Sequence, residues 1–337
     1  MMQWPRFTSD DSPLEALAKL SRFYGSDPDF VLAGGGNTSV KSSDRLWVKA
    51  SGRPLSAAGV DDFVELDRSA LGRLLDSDLG ADPVERERRF AAALMAARVH
   101  PEKNQRPSVE TLLHQLLPQK LVVHTHATLA NALACCVEGR RIAHELFGDE
   151  LLWIDYVDPG YTLARAMRDA MTARAGRGLA PPAVVLLQNH GLVIAADEPE
   201  RIKRLTDDVV ARIGRRIAQG GQSPPFGAVR GVDAGRSSEL IERVGPALRG
   251  LLGSGGRLYV AMFDDSPAVM ELVCGENGAR AASLGSMIPD HIVYAGTPMW
   301  FEPPEDPQRV LDELREAVRR HAESAGMKPS VVLAAGV

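Results

Sequence analysis

The sequence predicts a mixed α/β protein with a mainly antiparallel sheet, followed by a smaller α/β segment. Helix-like and strand-like patterns alternate over residues 13–218. A polar passage rich in glycine and proline interrupts them between 220 and 235, and shorter patterns of both kinds resume afterwards. A chain of 337 residues, 45% of them hydrophobic, has room for one large domain or two modest ones. We therefore predict one domain over residues 1–220 and a second over 235–337.

Apolar periodicity and turn residues define the elements up to residue 117. An apolar rhythm predicts a helix over 13–24, and a glycine turn at 34–36 is expected to end a short strand over 30–32. Clusters of β-forming residues between turn signals predict antiparallel strands over 38–40, 46–49 and 63–66. Longer periods predict helices over 70–75, 84–97 and 108–117, the last with Ser108 as its N-cap.

Strands and helices continue to alternate after residue 120. Apolar runs predict strands over 121–125, 151–156 and 183–188. The intervening helical patterns cover residues 129–136, 140–147, 161–175 and 199–218. Beyond the polar passage, helices are predicted near 238–252 and over 307–324, with strands over 258–263 and 269–273 and near 292–294. The apolar run 331–337 has the composition of an interior strand, which favours the hypothesis that the chain is part of a longer protein.

Composition and charge exclude several classes of partner. The net charge is −5, and no block of lysine and arginine with interleaved aromatic residues suggests nucleic-acid binding. The first residues lack a leader pattern, and no apolar stretch approaches the roughly 20 residues of a membrane span. Cys135, Cys136 and Cys274 form neither a disulfide framework nor a metal knuckle. We expect a cytoplasmic protein with reduced thiols and a small-molecule partner.

A histidine pair in the run Val-Val-His-Thr-His points to a metal site. His124 and His126 are two residues apart in a predicted strand, so both side chains project to the same face. His190 follows the next buried strand pattern, and Glu110 lies upstream near the start of a predicted helix. Three neutral nitrogen ligands and one carboxylate are typical of catalytic zinc, although manganese, iron and cobalt fit the same ligands. A buried, hydrogen-bonded histidine beside a surface histidine is the alternative for the pair.

Glu110 has two interpretations. It could be a first-turn helix acid that the helix dipole stabilises. If it faces the metal, burial is expected to raise its pKa towards neutrality, so that it can accept and return a proton. His114 is four residues further on and shares its helix face, and we interpret it as a packing or supporting histidine.

Glycines and small polar residues form a second group. The run 34–39 contains Gly36 and Asn37, and it combines with Ser51, Gly52 and Ser108. A glycine cluster between strands is usually only a turn. Taken together, however, these backbone amides, amide side chains and hydroxyls suit a phosphate, which predicts a phosphorylated polyol substrate beside the metal.

The order of these motifs resembles the class II aldolase/adducin family. The matching segments are Gly36-Asn37-Thr38-Ser39, Ser51-Gly52, Pro107-Ser108-Val109-Glu110, His124-Thr125-His126 and Asn189-His190-Gly191. The resemblance spans about residues 14–218 and implies a three-layer α/β/α fold. It also implies zinc on His124, His126 and His190, with Glu110 as acid/base. The substrate phosphate would lie on Gly36, Asn37, Ser51, Gly52 and Ser108.

The resemblance carries three further expectations. Val109 stands where fuculose-phosphate aldolase has a second serine, which bears on phosphate use. Tyr156 matches a tyrosine that a neighbouring subunit contributes to protonate the aldehyde, which implies a homo-oligomer, commonly a tetramer; a strand-end core tyrosine is the alternative. The C-terminal segment around Pro289-Asp290-His291 resembles the part that joins the aldolase to a short-chain dehydrogenase in bifunctional rhamnulose-phosphate aldolases.

The expected reaction is cleavage of a ketose 1-phosphate to dihydroxyacetone phosphate and an aldehyde through a metal-stabilised enediolate. The same fold also supports pentose-phosphate epimerisation and thiosugar-phosphate dehydration, and adducin-like domains use it for interaction without catalysis. A zinc hydrolase in which Glu110 activates water is a further alternative, which the predicted phosphate site disfavours.

Overall fold

The computed structural model describes residues 3–220, 223–231, 234–253, 256 and 259–337, without the side chains of 234 and 236. The described chain forms two compact units, which divide between Gln219 and Gly220. Each unit has its own core. Among the described residues, no helix combines the length and the apolar character needed to cross a membrane.

The first unit alternates helices with the strands of one sheet. Its helices are α1 (Pro13–Gly25), α2 (Arg68–Asp76), α3 (Pro83–Ala96), α4 (Thr111–Leu116), α5 (Thr128–Ala134), α6 (Gly139–Phe147), α7 (Tyr161–Gly176) and α8 (Pro199–Ala218). Its strands are β1 (Asn37–Lys41), β2 (Arg45–Lys49), β3 (Phe63–Asp67), β4 (Leu121–Thr125), β5 (Leu151–Ile154), β6 (Val184–Leu187) and β7 (Gly191–Ala196). Ser12 caps α1 through a capping box, which gives this helix a firm start.

The seven strands form a mainly antiparallel sheet in the order β3-β2-β1-β4-β7-β6-β5. Only the β5–β6 pair is parallel. Strand alternation divides the core: Leu121 and Val123 of β4 pack with residues of α1, α5 and α8, whereas Val122 packs with residues of α4 and α7. Helices therefore cover both faces of the sheet, and the predicted α/β/α architecture with a mainly antiparallel sheet is confirmed.

The second unit is a smaller α/β unit. Its elements are α9 (Ala234–Leu252), α10 (Pro267–Val273), α11 (Gly278–Ser283), a π-helical turn (His291–Ala295), β8 (Met299–Phe301), α12 (Val310–Ala325) and β9 (Val332–Ala334). β8 and β9 pair in parallel. Met299 and Phe301 pack against Leu240 and Leu314, which lie on the two long helices α9 and α12.

Several predicted elements were wrong. Residues 30–32 form no strand, because the chain turns there towards the glycines. β7 was missed: it follows β6 after three turn residues, whereas no strand was predicted between the strand over 183–188 and the helix over 199–218. Residues 269–273 and 292–294 are helical, since short apolar runs do not distinguish strands from helices.

The predicted strand over 258–263 is wrong for residues 259–263, which are irregular. Leu258 lies outside the described residues. The predicted interior strand at 331–337 exists only as β9, paired with β8, which the sequence analysis did not predict.

Candidate metal centre

The middle of the sheet brings three histidines together. His124 lies near the end of β4, His126 follows that strand, and His190 lies in the turn between β6 and β7. β4 pairs with β7 so that Thr125 lies opposite Leu192, which places the turn before β7 beside the end of β4. One ligand nitrogen from each histidine lies within 4.8 Å of the other two.

The spacing of the imidazoles fits one metal ion. Ring centroids are separated by 4.9, 5.0 and 5.3 Å, so the three rings form a nearly equilateral triangle. The Nε2 atoms of His124 and His126 are 3.1 Å apart. Tetrahedral coordination with metal–nitrogen bonds of about 2.0–2.1 Å requires nitrogen separations of about 3.3 Å. A small movement of the rings therefore suffices to hold a first-row divalent ion.

The chain around His190 is shaped for this close approach. Asn189 has a left-handed φ of 54°, an uncommon conformation that turns the chain sharply before β7. A Cβ atom on Gly191 would lie 2.5 Å from the carbonyl oxygen of Thr125 and 2.9 Å from Cε1 of His124. Glycine is thus required at 191 for β7 to lie against the histidine pair.

Glu110 lies among the imidazoles at the start of α4. Its carboxylate is 6% exposed, with Oε1 2.8 Å from His190 Nε2 and Oε2 3.4 Å from His124 Nε2. The buried Oε1 lies 2.8 Å from His190 Nε2 without a hydrogen-bond partner of regular geometry among the described residues. The Glu110 carboxylate therefore lies beside the three histidines that could hold an ion, close enough to act on a ligand bound there.

Burial and the neighbouring imidazoles shift the pKa of Glu110 in opposite directions. Burial raises the pKa of the Glu110 carboxyl, but His124, His190 and His126 together lower that pKa well below its ordinary value. The expected rise of the Glu110 pKa was therefore wrong, because the neighbouring imidazoles outweigh desolvation. Burial lowers the pKa of His124 to about 3, which leaves that imidazole neutral at pH 7, as a metal ligand must be.

A chain of hydrogen bonds holds Glu110 in place. The Asn37 amide donates to Glu110 Oε2 at 2.5 Å, and its Oδ1 makes a short contact with His114 Nε2. His114 Nδ1 pairs with Ser39 Oγ at 2.7 Å. These side chains are buried, and an unpaired buried amide would cost about 1–3 kcal/mol. His114 is a positioning residue that orients the Asn37 amide.

Burial also lowers the pKa of His114 to about 3. A neutral His114 carries one ring N–H, and this N–H suits the Asn37 oxygen. The sequence offered a signal for this contact: Asn37 and Ser39 share one strand face, and Glu110 and His114 share one helix face. The sequence did not show that α4 lies beside β1.

Two segments of the predicted phosphate site, those of Ser51 and Ser108, lie side by side. Ser51 N–H donates to the Arg106 carbonyl at 2.8 Å, and Ala50 forms a bridge with Pro107, so the turn after β2 lies against the segment that contains Ser108. We call Gly36, Ser51, Gly52 and Ser108, which are predicted to bind phosphate, the anion nest. Gly36 and Gly52 have φ values of 66° and 81°, which favour glycine.

Two of the residues predicted to bind phosphate also form hydrogen bonds within the protein. The Ser108 hydroxyl accepts from the Glu110 backbone N–H at 3.2 Å, which leaves its own O–H to donate to a ligand. One N–H of the Asn37 side-chain amide donates to Glu110, which leaves the second N–H of that amide to donate to a ligand.

Comparison with known proteins agrees with this geometry. The family model of the class II aldolase and adducin N-terminal domain matches residues 15–211, more than half of the chain. The chain belongs to this family. The N-terminal class II aldolase domain of a conserved protein from Thermoplasma acidophilum is 28% identical, with a TM-score of 0.56, over 64% of this chain and 100% of that domain. The class II aldolase architecture expected from the sequence is thus confirmed.

A longer relative also matches. The curated Bacillus subtilis (strain 168) protein named "Uncharacterized oxidoreductase YuxG" is 27% identical over 321 residues, which is 90% of this chain and 45% of that protein. The chain therefore spans less than half the length of this relative.

Tyr156 follows β5, the edge strand of the sheet. Its backbone N–H donates to the Gln188 side chain at 3.0 Å, beside the turn that carries His190. Its side chain is 52% exposed, and its hydroxyl donates to Asp158 at 3.3 Å. Tyr156 is therefore placed on the surface rather than in the core.

We expect His126→Ala to abolish stoichiometric metal binding, because two imidazoles remain where a structural or catalytic site needs at least three protein ligands. Elemental analysis after dialysis should fall from about one ion per chain to almost none. His144→Ala, which alters an exposed histidine on α6, is the matched control and should retain the ion. Equal metal content in the two variants would contradict the assigned ligands.

Proposed function

We propose that the first unit is a class II, metal-dependent aldolase that cleaves a ketose 1-phosphate to dihydroxyacetone phosphate and an aldehyde. The observation that carries this proposal is the buried Glu110 carboxylate, 2.8 Å from His190 Nε2 and 3.4 Å from His124 Nε2, within a triangle of three histidines. Membership of the class II aldolase and adducin family supports it. We propose zinc as the ion, held by His124, His126 and His190.

Cleavage of the C3–C4 bond requires one proton to leave the C4 hydroxyl and another to be added at C3. When bound, the metal supplies Lewis-acid stabilisation of the enediolate. Glu110 is the group that transfers the proton at C3, since it is the buried carboxylate at the centre. Asn37 and His114 hold its carboxylate in one orientation, and the anion nest fixes the substrate phosphate, so that the reacting carbon meets Glu110.

Two other functions are known for this fold, and each leads to a different expected result. An epimerase or dehydratase would use the same metal centre without releasing dihydroxyacetone phosphate. An adducin-like interaction domain has no need of a complete ligand set, and the intact cluster of three histidines with Glu110 favours catalysis. We also propose that an oxidoreductase activity, named for the relative YuxG, belongs to the part of that protein which this chain does not match.

The deciding experiment measures dihydroxyacetone phosphate release from a panel of ketose 1-phosphates, with and without a chelator. We expect release that the chelator abolishes and that added zinc restores. Conversion of a substrate without release of this product would identify an epimerase or dehydratase instead. A folded, zinc-loaded protein that converts nothing would favour the interaction function.

We expect Glu110→Gln to retain the metal and to lose turnover by about 10²–10⁴-fold, because the amide preserves shape but cannot exchange a proton at C3. Metal content and product release are measured on the same sample. Glu102→Gln, in the exposed segment before α4, is the control and should keep turnover close to that of the native protein. If Glu110→Gln remains active, Glu110 is not the acid/base.

We further propose that the protein is a homo-oligomer in which Tyr156 serves the active site of a neighbouring subunit, at the aldehyde oxygen. Its exposure and its position at the edge strand support this role. Tyr156→Phe and Glu110→Gln should each be nearly inactive, but mixed oligomers of the two should regain activity, since some sites combine a native Tyr156 with a native Glu110. Mixed assembly without recovery would assign Tyr156 another role.

A further inference from the structure

Two of the three clustered histidines lie outside the strands of the sheet. His124 belongs to β4, and its Nδ1 lies 3.1 Å from the carbonyl oxygen of Leu192, which fixes its ring. His126 follows β4, and His190 lies in the turn before β7, so neither residue belongs to a strand. The positions of these two imidazoles therefore depend on contacts with other elements.

The short helix α5 lies beside both segments. It begins at Thr128, two residues after His126. Its residues Ala130, Leu133 and Ala134 are buried in the core that also contains residues of β4 and β7. Because close packing leaves such a helix little freedom to move, α5 offers fixed positions for hydrogen bonds to the chain around it.

Asn131 of α5 holds the segment that contains His126. The Asn131 side chain is 7% exposed, and its Nδ2 donates to the carbonyl oxygen of His126 at 3.1 Å. The Asn131 backbone N–H donates to the carbonyl oxygen of Ala127 at 2.8 Å. One residue thus binds two successive carbonyl groups, and the chain that leaves β4 has a defined path past the imidazole of His126.

The end of α5 holds the turn that contains His190. The Asn189 backbone N–H donates to the carbonyl oxygen of Ala134 at 3.2 Å. The Asn189 side-chain amide donates to the Cys135 sulfur: burial raises the pKa of this thiol, and the hydrogen bond acts in the opposite direction. Asn189 has a φ of 54°, a conformation that asparagine tolerates better than most residues. Backbone and side chain of Asn189 are therefore both bound to α5.

Cys135 does not belong to the cluster of candidate ligands. Among the described residues, the histidine, cysteine and acidic side chains that could share one ion are His124, His126 and His190. Cys135 therefore acts on His190 through the neighbouring Asn189, not by direct coordination.

We propose that Asn131 and Cys135 are positioning residues of the metal centre, which set the separation of His126 and His190 by binding the chain beside each of them to α5. The ring centroids of these two histidines are 5.3 Å apart. Groups that orient metal ligands typically change metal affinity by about 10–100-fold. This inference rests on the proposed role of the three histidines as ligands, but it does not require the aldolase reaction.

The test loads the metal-free full chain with Co²⁺ and measures both the affinity, by competition with a chelator, and the visible absorption of the bound ion. Asn131→Ala and Cys135→Ala should each weaken Co²⁺ binding by about 10–100-fold. At saturating Co²⁺ each variant should also change the spectrum of the bound ion, because a displaced imidazole alters the coordination geometry. Cys135→Ser should retain most of the affinity, since its hydroxyl oxygen still accepts from the Asn189 amide.

Two controls separate positioning from a general loss of stability. Cys136→Ala changes the next thiol along the chain, which forms no hydrogen bond with another described residue, and should leave affinity and spectrum as in the native protein. Leu133→Ala removes buried packing of α5 but neither of the two side-chain hydrogen bonds. It should lower the thermal midpoint and leave the spectrum of bound Co²⁺ unchanged. If α5 served stability alone, Leu133→Ala and the two test variants would behave alike.

Asn189→Gly tests whether Cys135 acts through Asn189. Glycine adopts a φ of 54° without strain, so this change removes the side-chain contact while the turn keeps its backbone conformation. In the Asn189→Gly background, Cys135→Ala should cause no further loss of Co²⁺ affinity, because both changes remove the same hydrogen bond. Losses that simply add would overturn the proposed role of Cys135.

The outcomes separate this inference from the proposed function. If His126→Ala loses Co²⁺ but Asn131→Ala or Cys135→Ala binds it within about twofold of the native affinity and with the native spectrum, the ligands stand and this inference fails. A native protein that binds no Co²⁺ overturns both the ligand assignment and this inference. Cys135 is only half-buried, so its variant keeps the test decisive should Asn131→Ala not fold.

Discussion

The site depends on the pairing of β4 with a strand on each side. On one side the register places Asn37 of β1 opposite His124, and on the other it places His124 opposite Val193 of β7. A shift of one residue in the β1–β4 ladder would turn the His124 and Asn37 side chains to opposite faces of the sheet. The apolar alternation of β4 prevents that shift, because Leu121 and Val123 pack on one helical layer and Val122 on the other. Core packing therefore fixes the positions of the polar groups.

The charges around Glu110 determine the protonation state of its carboxyl group. Desolvation alone would favour the neutral acid, yet the imidazoles lower the pKa of Glu110 well below its ordinary value. The same burial lowers the pKa of His124 to about 3. The centre thus combines an ionised carboxylate with a neutral ligand, which suits a divalent cation better than either a proton or an anion.

Much of this site could be predicted from the sequence, and the reasons are local. The two-residue period of a strand is enough to put His124 and His126 on one face. The apolar run over 183–188 predicts a strand, and His190 follows its end. For the contact of His114 with Asn37 the sequence showed only which residues share a face, because it does not show that α4 lies beside a strand more than 70 positions away in the chain.

The errors of secondary structure have a related cause. β7 was missed although its residues are all buried, because the pattern of apolar residues alone does not show where one strand ends and the next begins. In the second unit, residues 269–273 were interpreted as a strand, whereas Ser266 and Pro267 begin a helix there. Long periodic elements such as α8 and α12 were recognised, since their length averages over such ambiguities.

The separation of the three histidines along the chain has a thermodynamic consequence. His124 and His126 come from one strand, but His190 joins them only when β7 has paired with β4. In the unfolded chain the three nitrogens are dispersed at low effective concentration, so any ligand that all three hold binds almost exclusively to the folded form. Occupancy and folding are then linked equilibria, and the folded form gains stability with the logarithm of the free ligand concentration.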